Sequence, residues 1–397
     1  MASDWKECTL AELGEIVGGA TPSTKDEQNY GGDIAWITPK DLSTLKGRFI
    51  SHGERNITEK GLHSCSTQIM PKNTVLFSSR APIGYVAIAS NPVCTNQGFK
   101  SIIANEDNDP MFLYYLLKFN KSAIEAMGSG TTFKEVSGNT MRGIRVHVPV
   151  SKAEQQRIAS VLAALDSKIE SNIKVNDNLL AQAKVIKKQW VATNEDGYEM
   201  LPLADVAAIN PDTYSPKEAW EYVNYLDTSS ITDGFIADVQ HIVPSSEKLP
   251  SRARRKVAAG DVLFSTVRPN QKHFGIISDP LPNMLASTGF ADIRSKSPLV
   301  CNELIYLCLT EGDFIEKMQQ LAEQSTSTFP SIKPSDLGAC QIPCPKGESS
   351  DVFTDTLKSL FSLIAANFLE NNSLGAMRDA LLPKLMSGEI DVCAVQL

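Results

Sequence analysis

Residues 151–191 read SKAEQQRIASVLAALDSKIESNIKVNDNLLAQAKVIKKQWV. With Ile158 at a core position, Leu162, Leu165, Ile169, Asn172, Asn176, Leu179, Ala183, Ile186 and Trp190 follow at alternating steps of four and three. That spacing keeps one seam turned toward a partner helix. Neither Gly nor Pro interrupts it. At about 1.5 Å per residue, ~40 residues make a rod of roughly 60 Å. This is too long for an ordinary helix on a compact core.

A partner lies in the same chain. Residues 350–388, SDVFTDTLKSLFSLIAANFLENNSLGAMRDALLPKLMSG, place Phe353, Leu357, Leu360, Ile364, Asn367, Asn371, Leu374, Arg378, Leu381 and Leu385 each 195 residues after its counterpart. The two Asn layers recur at the same steps. An antiparallel pair centred on them faces Asn172 with Asn371 and Asn176 with Asn367. A parallel in-register pair also matches Asn to Asn, so the pattern alone leaves direction open. Buried Asn layers cost stability and fix register.

At 397 residues, two to three domains with sizeable cores are expected, and 42% hydrophobic residues suits a soluble globular chain. No run of ~18 apolar residues and no charged-then-apolar leader is found, so neither a membrane span nor a secretory signal is expected. The eight cysteines (Cys8, Cys65, Cys94, Cys301, Cys308, Cys340, Cys344, Cys393) form no CxxC pair. They read as buried free thiols in a reducing cytoplasm rather than a zinc site. A net charge of −8 argues against a protein that simply coats nucleic acid. DNA contact then has to come from local basic patches or from more basic partners.

Taken in order, the chain is doubled. WKECTLAELGEI (5–16) aligns with YEMLPLADVAAI (198–209), each a short strand and a helical turn. A turn-rich stretch and a short strand follow, AWITPKDL in one copy and YVNYLDTS in the other. Residues 71–102 then match 258–293: both hold VLFS, an Arg soon after it (Arg80, Arg268), a second strand and a Gly-Phe pair (Gly98–Phe99, Gly289–Phe290). Each copy continues with a helix, PMFLYYLLKF or NELIYLCLTEGDFIEKMQQL. A Thr/Ser-rich loop and a strand ending in Pro149 or Pro345 complete it. A repeat of ~195 residues is far above solenoid periods and reads as a duplicated α+β module.

Catalytic motifs are missing from the sequence. Gly128–Phe133 lacks the third Gly of a dinucleotide loop and follows a helix, the wrong context. No GxxxxGK[ST] occurs, and Asn91-Pro92-Val93-Cys94 falls short of the motif used to methylate base amino groups. The five His (His52, His63, His147, His241, His273) show no ligand spacing.

Binding chemistry remains. Arg252, Arg254, Arg255 and Lys256 make a basic run just before the second VLFS, and Arg268, Asn270, Gln271, Lys272 and His273 follow it. Arg suits bidentate contact with guanine, Asn or Gln with adenine. The first copy offers Ser78, Ser79 and Arg80 in the same loop, with Lys40, Thr131, Thr132 and Lys134 elsewhere. Thr328 and Lys333 hold the comparable loop of the second copy.

Three stretches carry a resemblance: TVLFSSRAPIGYVAI with TNQGF; GTTFKEVS followed by IRVHVPVSKAEQQRIASVL; and the C-terminal RDALLPKLMSGEI. The chain resembles, over its whole length, the specificity subunit of type I restriction–modification systems. The resemblance implies an α+β, pseudo-two-fold symmetric fold of two duplicated target-recognition domains separated by two long helices packed as an antiparallel coiled coil. The expected boundaries are 1–150 and 196–346 for the domains, 151–195 and 347–390 for the spacer helices. It implies a non-catalytic reader of a bipartite double-stranded DNA site, one domain per half-site, with helix length setting the spacer. It also implies two methyltransferase subunits carrying S-adenosylmethionine and motor–nuclease subunits using ATP and Mg, with no cofactor or metal in this chain. The second copy departs from the first: GESSDVFTD stands where AEQQRI does, and VRPNQKHFG replaces RAPIGYV. A related system whose partner fuses methylase and nuclease, or a non-DNA adaptor scaffold, stays open at this point.

Overall fold

The computed structural model describes residues 4–80, 82–130, 134–325, 329–346 and 351–392. The chain divides into two compact units, Met1–Asn172 with Glu370–Leu397, and Ile173–Leu369. The first long helix runs Lys152–Thr193 and the second Asp351–Met386, so each unit owns a stretch of both.

In the first unit, Trp5–Thr9 pairs antiparallel with Arg145–Pro149, Trp5 facing Pro149, which ties the two ends of the domain together. Between them a five-stranded sheet runs in the order Gly14–Gly18, Lys100–Ala104, Val75–Ser79, Ile83–Ala89, Phe49–Ile50. Helix Pro110–Phe119 starts on Pro110, with the Asp109 carboxylate accepting from the Phe112 N–H, and buries Phe112, Tyr115 and Leu116 against Val75, Phe77 and Ile102. Ile158 and Leu162 of the long helix enter that same core. Burial of one apolar surface thus holds domain and helix together.

The second unit repeats the plan. Tyr198–Pro202 pairs with Gln341–Pro345, Tyr198 facing Pro345. A sheet of Ala207–Ile209, Phe290–Ser295, Asp261–Ser265 and Phe274–Ile277 corresponds to the first four strands of the other. A second sheet orders Gln240–Ile242, Val223–Leu226, Met284–Ser287 and Ala253–Lys256. One expectation fails here. NELIYLCLTEGDFIEKMQQL is two helices, Asn302–Leu309 and Gly312–Glu323. The Thr310 hydroxyl turns back on the Tyr306 carbonyl at 2.8 Å, and Glu311 leaves helical geometry (φ −68, ψ 144), its carboxylate 2.7 Å from Lys187 Nζ.

Within each unit the helix stretches run antiparallel, which settles the direction left open above. In the first unit Asp166 meets Arg378 at 2.8 Å and Asn172 donates to Asn371 Oδ1 at 2.9 Å. In the second, Asn367 donates to Asn176 Oδ1 at 2.7 Å, and Trp190 stacks on Phe353 with centroids 4.2 Å apart. Arg378 occupies a core position because Asp166 takes its charge while also accepting from the Tyr115 hydroxyl at 2.6 Å. By length and composition alone, Asp351–Met386 is apolar enough to cross a membrane, a case the expectation of no span did not allow for. Its Asn367, Asn371 and Arg378 are nevertheless engaged with the first helix.

The Asn172–Asn371 bond predicts a double-mutant cycle. Asn172→Leu alone leaves a seam amide short of a partner and costs ~1–3 kcal/mol; Asn172→Leu with Asn371→Leu returns to wild-type stability or above it. Thermal unfolding checks this, and a double variant less stable than the single one contradicts the pairing.

Candidate nucleic-acid interface

The VLFS strands end on matching backbone bonds. In the first domain the Ser79 N–H donates to Gly98 O (2.7 Å) and the Val136 N–H to Ser79 O (2.9 Å). In the second, Thr266 N–H donates to Gly289 O (2.8 Å) and Ile332 N–H to Thr266 O (2.9 Å). Trp36–Ile37 pairs in parallel with Cys94–Thr95 just before Gly98, as Val223–Leu226 does with Met284–Ser287 before Gly289. Three separate segments therefore converge where each VLFS strand ends.

Of the first domain's candidates, Ser78 and Ser79 are wholly buried. The Ser78 hydroxyl donates to Pro82 O and accepts from the Tyr85 N–H, both at 2.8 Å, and that of Ser79 donates to Gly98 O. They shape the turn and are withdrawn from the contact set. Arg80 stays partly exposed, 3.7 Å from Glu135, whose other oxygen meets Lys100 at 3.3 Å. Lys134 is exposed beside them. Lys40 is exposed and paired with Glu54 at 2.6 Å. Thr131, Thr132 and Thr328 lie outside the described residues.

In the second domain Arg254, Arg255 and Lys256 lie on the strand Ala253–Lys256 and Arg252 in the turn before it, so the side chains of the run diverge. Arg252 is exposed, but Arg254 bonds the Ser251 carbonyl and Lys256 pairs with Glu218 at 2.6 Å beneath Trp220. Arg255 is half-buried, with no hydrogen-bond partner for Nε among the described residues. Burial pulls its guanidinium below its ordinary range, with the charge of Asp292 opposing. Arg255 is thus half-withdrawn toward Asp292, while part of its side chain stays accessible.

Downstream, Pro269–Gln271 forms one tight turn flanked by Arg268 (φ 47) and Lys272 (φ 55), both left-handed without being Gly. Such backbone costs about 1–3 kcal/mol per residue and clusters at functional sites. Asn270 and Lys272 are exposed, as is Lys333, at the start of a short helix. Arg268 lies over the Phe329 ring, 5.0 Å from its centroid. His273 Nδ1 sits 2.6 Å from Ile231 O and so carries its proton there. A cleft of about 250 Å³ brings Arg252, Arg268, Gln271 and His273 together with Asp227 and Phe329. The sequence reading missed Asp227 and Phe329: one ends a strand, the other is a lone aromatic in a polar loop.

At the other end of the strand Asp261–Ser265 stands a charge cluster whose Asp261 and Asp292 are buried, whose Arg294 is partly exposed and whose Asp212 is exposed. Arg294 grips Asp261 through Nε (2.7 Å) and Nη2 (2.8 Å) and reaches Asp212 at 2.8 Å. Asp292 is fully buried, and neither of its oxygens meets a donor among the described residues. Burial first, then the Asp261 charge, pushes its carboxyl up to about 8, against the pull of Arg294 and Arg255. A proton held on Asp292 supplies the missing donor toward Asp261. Burial likewise raises the Cys94 and Cys308 thiols to about 11. Among the described residues no cluster of His, Cys, Asp or Glu is placed to hold a metal; Cys393 lies outside them.

A family model described as the type I restriction modification DNA specificity domain matches residues 2–180. The MjaIX type I restriction enzyme specificity subunit of Methanocaldococcus jannaschii is 32% identical over 413 residues, covering 98% of this chain and 94% of the relative. The HindI specificity subunit of Haemophilus influenzae is 22% identical over 473 residues, covering 98% and 100%. A crystal structure of a type I restriction–modification S subunit from M. genitalium matches with a TM-score of 0.56 at 18% identity and 96% coverage of each chain, a likeness of fold.

The buried carboxyl sets a pH dependence. An unfolded Asp releases its proton near ~3.9, whereas Asp292 holds its own to about 8 in the folded chain. Between those values the folded state binds more protons, so this group's contribution falls as pH rises through the window. Asp292→Asn removes that slope, its amide donating to Asp261 as the protonated acid does. Urea unfolding at pH 5.5 and pH 8 checks this. The variant gains on the wild type at the higher pH, by up to ~1.4 kcal/mol per pH unit; a flat difference contradicts it.

Proposed function

The chain belongs to the specificity subunits of type I restriction enzymes, and we propose that it supplies such an enzyme's sequence preference, each recognition domain reading one half of a two-part DNA site. The matching bonds at Ser79–Gly98 and Thr266–Gly289 carry this reading. They anchor the same framework in both domains, while the side chains beyond them differ: Arg80 in one, Arg268 to His273 in the other. Likeness to specificity subunits along nearly the whole chain favours this over an adaptor scaffold or a fused-partner system.

In this reading the chain performs no chemistry itself and works in the cytoplasm. Two methyltransferase subunits bring S-adenosylmethionine, and motor–nuclease subunits use ATP and Mg. Exposed apolar side chains on the long helices, Val175 and Val185 on the first, Val352, Leu363 and Met377 on the second, suit the docking of such partners. An overall acidic chain with local basic loops suits a reader whose partners grip the rest of the duplex.

Two measurements test this. Purified chain alone transfers no methyl group from S-adenosylmethionine to DNA, and methylation of a two-part site follows on addition of the methyltransferase; transfer by the chain alone refutes the division of labour. Arg268→Ala changes only the half-site read by residues 198–345. If Arg268 meets a base, discrimination at one position drops by about 1–3 kcal/mol; if it meets phosphate, binding weakens uniformly and the salt slope falls by about one. A methylation map altered in the other half-site, or unaltered throughout with unchanged affinity, removes this loop from the interface.

A further inference from the structure

We propose that Asp227 is a specificity-determining residue, accepting a hydrogen bond from the N4 amino group of a cytosine whose paired guanine is read by Arg268. This rests on the DNA-reading role above and goes beyond it by naming a residue and a base pair.

A carboxylate is an unexpected occupant of a surface meant for a polyanion. Every phosphate repels it, and only a base edge that donates can offset the repulsion. Asp227 stands at the end of the strand Val223–Leu226 and lines the same cleft as Arg252 and Arg268. No ion pair joins it to either arginine among the described residues. Cation and anion sit in one 250 Å³ cleft without neutralising each other.

The carboxylate is also held in place. Tyr225 donates its hydroxyl to one oxygen at 2.9 Å, and Ser229 donates to the other at 3.1 Å. Burial works against its charge, but these bonds and the backbone N–H groups of Thr228 and Ser229 outweigh it and keep the carboxyl below its ordinary range. The two hydroxyls take one site on each oxygen, and the side chain makes no capping hydrogen bond to the turn it begins, so acceptor capacity remains for a ligand. Beside it, Thr228 Oγ1 is buried with no hydrogen-bond partner among the described residues.

The pattern fits one base pair. In the major groove G·C offers two acceptors, guanine N7 and O6, beside one donor, cytosine N4. An Arg and an Asp in one cleft present the complement. Arg268 is fixed by its left-handed backbone, its N–H bond to Pro330 O at 3.0 Å, and the Phe329 ring.

The other domain supplies a contrast. Counting from the parallel pairings, Ile37 with Thr95 and Leu226 with Ala286, three residues before Gly98 and Gly289, the residue in Asp227's place is Thr38. Its hydroxyl is turned to Asp41 at 2.6 Å. A position charged in one domain and neutral in the other is where readers of different half-sites would diverge.

Asp227 also starts the short turn Thr228–Ser230, so a purely structural role is the competing account. Asp227→Asn separates the two, because Asn keeps an acceptor oxygen for the neighbouring hydroxyls while losing the charge and gaining a donor. The test uses the chain assembled with its methyltransferase and DNA carrying a randomised half-site, with wild type and Arg268→Ala in parallel. Expected for Asp227→Asn is a loss of preference for C at one position, about 5- to 150-fold, with tighter binding to random DNA and an unchanged unfolding midpoint. Asp227→Ser, which also starts turns, gives the same loss if Asn misfolds. Undiminished preference at every position overturns the proposal, as does a loss at a position that is not G·C. If Arg268→Ala shifts the half-site and Asp227→Asn does not, Asp227 fails and DNA reading stands. If the wild-type assembly prefers no site, both fail.

Discussion

An amide at a helix–helix seam has nowhere to slide. Leucines tolerate a shift of one heptad, since a neighbouring Leu fills the same hole, but Asn172 finds a partner only where another polar group stands. In the first unit it meets Asn371 and Glu370 together, at 2.9 and 2.7 Å. In the second unit Asn176 meets Asn367 and the Ile364 carbonyl. These contacts fix which residues of the second helix face which of the first, and so which recognition-domain core each helix stretch completes. Ile158 and Leu162 belong to the core built on Phe77 and Phe112. Leu357 and Phe361 belong to the core built on Phe264 and Phe274. A slip along the seam would empty both.

That dependence explains what could be read in the chain. The long helices, their shared Asn layers and the duplication were legible because each rests on periodicity, and periodicity survives substitution. Strand ends were legible for a related reason: Trp5 and Tyr198 pair with the Pro149 and Pro345 that close each module. Direction was not legible, since parallel and antiparallel pairings satisfy the same Asn pattern. The break at Thr310 was hidden by an unbroken apolar spacing on either side of it.

The candidate interface was legible in part, and the failures share a cause. A run of four basic residues reads as a patch, but on a strand successive side chains point to opposite faces. Arg252 reaches solvent, whereas Arg255 is half-buried and feels the charge of Asp292. Ser78 and Ser79 read as polar loop residues, but a hydroxyl that satisfies a backbone carbonyl or N–H at a tight turn is consumed there. Asp227 escaped notice because a lone acid in an acidic chain carries no signal until its neighbours in space are known.

The two domains also show how one framework can serve different readers. What both preserve at the end of the VLFS strand is backbone: a carbonyl at Gly98 or Gly289, an N–H at Ser79 or Thr266, and an N–H at Val136 or Ile332. Backbone bonds make little demand on side-chain identity, so the framework does not constrain what projects from it. One step past the shared bond the copies part. The first turns directly into the next strand at Ile83, whereas the second inserts the left-handed Arg268, a tight turn and the left-handed Lys272 before Phe274. The two left-handed residues of that segment lie beyond the last shared bond, and the sheet beneath keeps the strand order of the other domain. A sequence can therefore exchange the segment, and with it the side chains it presents, at little cost to the fold beneath it.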